Sequence, residues 1–239
     1  MPTTPEGFQD RITLLRADLV DQGRRVQSLI EAAFDAAFSR DAAAAERVIG
    51  LDEGVDRVDV AIEKTAVQLL SDATNEGAAL DAGQLRMVLT IVKVNNELER
   101  IADAGVYVAE QVPSLRTVGH ALPDTFRVMA NSIVGILRDT NTALDRLDGR
   151  LSRVVLASQD AVGEFKRALM RDGAQRVASG SISVDFAFTL QEIASACEDM
   201  ADHCTNIAEQ VLYTSTGTIV RHMHGHWEEV PPLPPTPPK

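Results

Sequence analysis

Aromatic residues are scarce in this chain: 4% of 239 residues, with one Trp and two Tyr, against 45% hydrophobic residues overall. An interior of Ala, Val, Leu and Ile suits close-packed helices better than a β-sandwich. No apolar run approaches the ~18 residues that span a bilayer. The opening MPTTPEGFQD lacks the charged and apolar regions of a signal peptide, so a soluble cytoplasmic protein is expected. Basic residues are also in deficit, 23 Lys and Arg against 35 Asp and Glu, for a net charge of −12. Phosphate contacts need a basic footprint, which argues against nucleic acid as a partner. An acidic surface suits cations or basic patches on other proteins. The two cysteines, Cys197 and Cys204, lie seven residues apart. On one helix that is roughly 10 Å of rise, beyond the ~7 Å Cα separation a disulfide tolerates. The sequence has no phosphate-cradling glycine loop, no Ser-His-Asp candidate and no Glu-x2-His pair of the di-iron kind. No catalytic residue is assigned, and an enzyme is not expected.

What is present is a repeat. ERIADAGVYVAEQV, Glu99 to Val112, returns as EDMADHCTNIAEQV, Glu198 to Val211, at a constant offset of 99 residues. Met87, Ile91, Val94, Leu98, Ile101, Gly105, Val108 and Val112 alternate steps of four and three, a heptad seam. Adding the offset gives Phe186, Leu190, Ile193, Cys197, Met200, Cys204, Ile207 and Val211, again apolar throughout. The cysteines therefore read as small core residues, with a redox pair as the rival reading. Two further helices precede each seam helix. The spacing predicts helices near 8–38, 41–72 and 81–114, then 124–149, 151–178 and 182–215, with Asp41 and Asp81 as N-caps and Gln84 completing a capping box. The second helix carries its own seam, Val48, Leu51, Val55, Val58, Ile62 and Leu69. SISVDFAF alternates like a strand but runs into the seam helix and is read as helical. The expected fold is all-α: two tandem three-helix bundles related by a pseudo-two-fold, residues 1–115 and 116–220. Residues 221–239 form a His-containing, Pro-rich tail that is expected to be disordered, its VPPLPPTPPK end extended polyproline or disorder.

At 100° per residue Glu99, Asp103 and Glu110 fall within about 40° of one another, well away from the seam. The same phasing holds for Glu198, Asp202 and Glu209, so both acidic stripes are expected to face away from their own cores. On the preceding helix Asp52, Asp56, Asp59 and Glu63 step by four, three and four. Like charges at i,i+4 cost a few tenths of a kcal/mol per pair, and hard oxygens at that spacing can share a divalent or trivalent cation. A solvated acidic face is the competing reading. Its weakness is that a solvated face gives no reason to keep Glu-x3-Asp-x6-Glu in phase in both halves.

These segments resemble the PhoU family of phosphate-uptake regulators, whose tandem three-helix repeats carry a motif like ERIGDxxxNIAE on each last helix and a DxxID segment on the helix before. LERIADAGVYVAE and CEDMADHCTNIAE match the first, and LDEGVDRVD matches the second. GQLRMVLTIVKVNNELERIAD is similar to the family's DLRxVxxxxKxxxxLERIGD, and VLYTSTGTIVRH to its closing segment; the likeness covers residues 10–225. The resemblance implies multinuclear iron or zinc clusters on E/D-x3-D motifs. Carried over, it places ligands at Asp52, Asp56, Glu99 and Asp103 in one site and at Glu198 and Asp202 in another. It further implies a cytoplasmic, non-enzymatic negative regulator of phosphate uptake and of the phosphate-starvation response. Such a regulator would contact the ATPase subunit of the phosphate ABC transporter and a phosphate sensor histidine kinase, and would lie peripheral to the membrane through these partners as a homodimer. The alternatives are a metal-handling, ferritin-like helical protein or a metal-free helical adaptor.

There are departures from the family pattern. Ala102 and Ala201 stand where the motif has glycine, and Asp199 stands where it has arginine. Aligning the helix seams at an offset of 107 sets Gln159, Gly163 and Lys166 opposite Asp52, Asp56 and Asp59. The acids are absent there, while Asp160 and Glu164 have the right spacing in the wrong phase. Beyond the repeats, His222, His224 and His226 would share one side of an extended chain and so offer a transition-metal chelate. A solvated segment is the competing reading.

Overall fold

The computed structural model describes residues 5–78, 80–223 and 226–230. Six long helices form two bundles. The first holds α1 (Pro5–Ser39), α2 (Ala42–Asn75) and α3 (Ala82–Glu110). A short α4 (Val112–Val118) leads to the second, α5 (Asp124–Arg146), α6 (Gly149–Ala178) and α7 (Val184–Thr216). Strands β1 (Ile219–Met223) and β2 (His226–Val230) follow as an antiparallel hairpin.

The expected start signals operate. The Asp41 carboxylate accepts from the Ala43 and Ala44 amides at 2.9 and 3.1 Å. Asp81 and Gln84 form a reciprocal capping box at 2.8 and 3.1 Å. The first seam helix stops earlier than expected, at Glu110. Pro113 stands in the opening turn of α4; with no N–H and a ring that clashes one turn back, proline cannot continue α3.

Both seams are buried apart from the half-buried Met87 at the start of the first. Ile91, Val94, Leu98, Ile101, Val108 and Val112 are fully enclosed, as are Cys197, Met200, Ile207 and Val211. Burial pushes the Cys197 and Cys204 thiols up to about 12, the state of core residues rather than of reactive thiolates. The α2 seam differs in two members, Val58 being only half-buried. Leu51 is 49% exposed, while Ala45, Val48, Val55, Ile62, Ala66, Leu69 and Ala73 are buried. The buried face of α2 is thus a narrow stripe, as expected of a helix that packs chiefly on α1 and α3.

The bundles meet through α3 against α7 and α1 against α5. Each of these pairs joins elements that the repeat maps onto each other, as a two-fold relation requires. α3 and α7 run antiparallel. Thr214 donates to Thr90 at 2.7 Å, and further along α3 Glu97 meets His203 at 2.7 Å. Two close approaches fix the helices. An added Cβ on Gly105 would lie 2.4 Å from Ile30 Cδ1. At Gly23 the neighbour is Asn141, whose amide donates to the Gly23 carbonyl at 2.9 Å.

The hairpin departs from the expected disordered tail, because residues 219–223 and 226–230 pair as two antiparallel strands. Val220 joins the core, and Arg221 pairs with Glu209 of α7. Glu209 is therefore 7% exposed, against the expectation of an outward stripe, whereas its repeat mate Glu110 is exposed. The register pairs His222 with Trp227 and Met223 with His226. The chain has reversed between the histidines, so a single extended strand presenting all three does not form. His224 and residues 231–239 lie outside the described residues.

Candidate functional site

The first acidic cluster forms where α2 lies beside α3. Asp52, Asp59 and Glu99 are half-buried, and Asp56 and Asp103 are exposed. The carboxyls of Asp52, Asp59, Glu99 and Asp103 are all held above the usual range, with burial the main cause in each. Neighbouring charge adds to it: Asp56 and Asp103 act on Asp52, and Asp103, Asp59 and Asp56 act on Glu99. Carboxylates from two helices thus converge without a matching set of protein cations, although Arg100 partly offsets the field at Glu99 and Asp103. The Asp52 Oδ1 atom is buried without a hydrogen-bond partner, a costly state for a carboxylate oxygen. Sequence reasoning missed Asn95, a buried amide within the apolar stretch of α3 that donates to Asp59 Oδ1 at 2.6 Å and to the Asp59 carbonyl at 3.0 Å. A polar residue beside the buried seam was the available signal.

The acids are near one another but not clasped. Among the described residues no three His, Cys, Asp or Glu side chains stand close enough to hold a metal ion as they are. The chemistry of the first donor set nonetheless fits a hard cation. It offers oxygen ligands at i,i+4, excess negative charge and an orphaned Asp52 oxygen.

The second set does not fit. Glu198 and Asp202 are half-buried on α7, but α6 supplies donors rather than acids. The Lys166 ammonium lies 2.6 Å from Glu198 Oε2, and the Gln159 amide donates to Asp202 at 2.5 Å. These are two of the three positions aligned with Asp52, Asp56 and Asp59. Glu164 is drawn into a 2.9 Å ion pair with Arg167, and Asp160 is exposed.

Two grooves flank the α3–α7 contact. One, of ≈ 720 Å³, is lined by Glu99, Asp103, Tyr107, Glu192, Asp199 and His203, so the first cluster opens onto it. The other, of ≈ 580 Å³, includes Lys93, Glu97, Gln159, Asp202, Asn206 and Arg221. Within this second groove Glu97 accepts from Asn206 at 3.0 Å and faces His203. Burial raises the Glu97 carboxyl, but the His203 and Asn206 hydrogen bonds outweigh it and the net direction is down. This inter-bundle cluster also escaped sequence reasoning, because its members belong to different repeats and have no counterpart at the 99-residue offset.

Known proteins share this architecture. The PhoU domain matches residues 19–112 and again 126–211. The chain is 26% identical over 212 residues to the phosphate-specific transport system accessory protein PhoU homolog 1 of Thermotoga maritima, covering 88% of this chain and 89% of that protein. It is 28% identical over 210 residues to the corresponding PhoU homolog of Aquifex aeolicus, covering 87% and 93%. The crystal structure of the phosphate transport system regulatory protein PhoU from Streptococcus pneumoniae superposes with a TM-score of 0.81 at 22% identity, over 90% of this chain and 99% of that one. That of PhoU from Pseudomonas aeruginosa gives 0.82 at 22% identity, over 88% and 100%. With both halves of the chain matched in tandem and the helical repeat superposing on solved relatives, this protein belongs to the PhoU family.

Proposed function

We propose that this chain is an accessory regulator of a phosphate transport system that restrains phosphate uptake and the phosphate-starvation response while phosphate is plentiful. The names of its relatives support the phosphate assignment. The reading includes a cytoplasmic location, a homodimer, and docking onto the ATPase subunit of the phosphate ABC transporter and a phosphate sensor histidine kinase. It is compatible with a chain in which, among the described residues, no helix is long and apolar enough to cross a membrane. The role is regulatory rather than catalytic.

The metal part of the reading concerns the first cluster. Asp52, Asp56, Glu99 and Asp103 would hold an iron or zinc centre there, and the cation would supply charge neutralisation between α2 and α3. The carrying observation is that the half-buried Asp52 and Glu99 and the exposed Asp56 and Asp103 raise one another's field beside a buried, unpartnered Asp52 oxygen. A metal-free helical adaptor is the second reading, favoured by the absence of a ready three-ligand arrangement among the described residues. The regulatory assignment is tested with a phosphate-responsive reporter in a strain that lacks this chain and any other PhoU-domain protein. Reporter output that stays high in rich phosphate, and falls when the chain is restored, is expected. Normal repression in the deleted strain would sink the assignment.

A further inference from the structure

We propose that the second carboxylate pair is closed by a cation the chain supplies itself: the Lys166 ammonium stands where a metal would stand, so the molecule loads metal in its first repeat only. The contrast with the first repeat rests on the metal reading given above. The closure of the second pair rests on geometry alone.

Both anionic side chains of the pair are already satisfied from α6. Lys166 Nζ sits 2.6 Å from Glu198 Oε2, a charge-assisted distance. The Gln159 amide donates to Asp202 Oδ1. The pair is partly shielded, with the side chains 26% and 35% exposed, so solvent screens it less than a surface pair. Gly163, opposite Asp56 in the repeat, carries no side chain. A Cβ there would meet Arg167 Nη1 at 3.4 Å and Glu198 Oε1 at 3.6 Å, so a second cation also flanks Glu198. Glu198 and Asp202 thus face the Lys166 ammonium and the Gln159 amide, with an Arg167 guanidinium beside Glu198 that is itself paired with Glu164. In the first repeat the corresponding α2 positions are acids. Among the described residues the buried side-chain atoms with no partner are Asp52 Oδ1, Asn95 Oδ1 and Asn141 Oδ1. Asp52 and Asn95 belong to the first cluster, and no atom of Glu198 or Asp202 is among them. A metal ion entering the second pair would have to expel Lys166 and turn the Gln159 amide away. A protonated ammonium has three donors and no lone pair to offer a metal.

The consequence is a divided molecule. α2 and α3 change their charge balance when metal arrives, while α6 and α7 keep the Lys166–Glu198 ion pair and the Gln159–Asp202 hydrogen bond whatever the metal supply.

The full-length chain, freed of metal with chelator, reloaded with excess Zn(II) and desalted, is analysed for bound zinc. Glu99→Gln with Asp103→Asn is expected to abolish the zinc of the wild type, while Glu198→Gln leaves it unchanged. Gln159→Asp with Lys166→Met, which opens the second pair, is expected to roughly double the bound zinc. It should also gain a zinc-induced rise in Tm that Glu198→Gln removes. Should that double variant fail to fold, Lys166→Met alone serves, with a lower Tm in chelator than the wild type and recovery in zinc. A fall in zinc on Glu198→Gln in the wild type overturns the proposal. So does an opened variant that folds yet takes no more zinc than the wild type. A wild type that binds no zinc contradicts the first-cluster reading instead. The opened variant then decides this proposal by itself, gain of zinc supporting it and no gain overturning it.

Discussion

Asp52, Asp59, Glu99 and Asp103 hold their protons more tightly than free carboxyls do, and Glu97 holds its own less tightly. Burial and crowding raise the first set, whereas at Glu97 burial is outweighed by the hydrogen bonds from His203 and Asn206. The two respond to acid with opposite signs. A carboxyl whose folded pKa is raised costs stability at neutral pH, and that cost is relieved as pH falls through the raised value, because the native state then binds more protons than the unfolded chain. A carboxyl whose folded pKa is lowered contributes stability above its unfolded value, and the contribution is lost as pH falls through the folded one. In chelator, Glu99→Gln is therefore expected to exceed the wild type in stability at pH 7 by a few tenths of a kcal/mol. The gap should close as the pH approaches the ordinary carboxylate range near about 4. Glu97→Gln should be less stable than the wild type at pH 7, with its deficit vanishing below the depressed Glu97 pKa. Urea melts across this range check both signs, and parallel pH curves for the three proteins would contradict the assignment of these shifts. The acids of the first cluster were legible in the sequence in two steps: helical periodicity sets the acids of α2 and of α3 each on one face of its helix, and the family resemblance puts the two sets in one site. Gln159 and Lys166 were legible as substitutions at aligned positions. Their bonds to Asp202 and Glu198 were not, because hydrogen-bond and ion-pair geometry depends on how far α6 and α7 separate.

The helices follow local rules where those rules are strong. A seam in steps of four and three gave α3 and α7, and aspartate caps gave the starts of α2 and α3. Errors fell where a tertiary or proline constraint overrode the period. Pro113 ended α3, and α2 buried too narrow a stripe to include Leu51. Gly105 and Gly54 separate local propensity from packing. Both lie inside helices, where alanine is favoured over glycine by roughly 0.5–1 kcal/mol. At Gly54 an added Cβ meets nothing within 4 Å, so Gly54→Ala is expected to stabilise by about that amount. At Gly105 the Cβ would fall 2.4 Å from Ile30 and 2.7 Å from Leu29, and both of these side chains are enclosed. Overpacking of this kind costs about 1–3 kcal/mol, which outweighs the helix gain. Gly105→Ala is therefore expected to lower the melting temperature and Gly54→Ala to raise it. Equal shifts in thermal melts would show that α1 and α3 are not in the close contact described.

At the scale of the whole molecule, the 99-residue repeat made the two-bundle architecture readable, because two segments with the same pattern must solve the same packing problem. The hairpin was not readable. Five-residue strands that pair chiefly with each other leave little periodic signal, and VPPLPPTPPK drew the whole C-terminal stretch toward an extended reading. Repetition also misled at Glu209, since its exposure depends on Arg221 from outside the repeat. What the two halves do not share is the partnering of their acids: converging acids between α2 and α3, and between α6 and α7 an acid paired with Lys166 and another hydrogen-bonded by Gln159. The central claim is that the unmatched half takes a cation, and Asp103→Asn tests it by sign. Without a metal the substitution only removes repulsion, and stability stays level or rises by a few tenths of a kcal/mol. With a metal it removes an anionic ligand, and stability falls by the lost linkage, about 2.7 kcal/mol when free metal is a hundredfold above its dissociation constant. The deciding measurement is the thermal melt of the metal-loaded wild type and Asp103→Asn, each with and without chelator. A wild-type Tm that drops on chelation to near that of the variant, with the variant unmoved by chelator, is the predicted result. A wild type indifferent to chelator and a variant at or above it would contradict the claim.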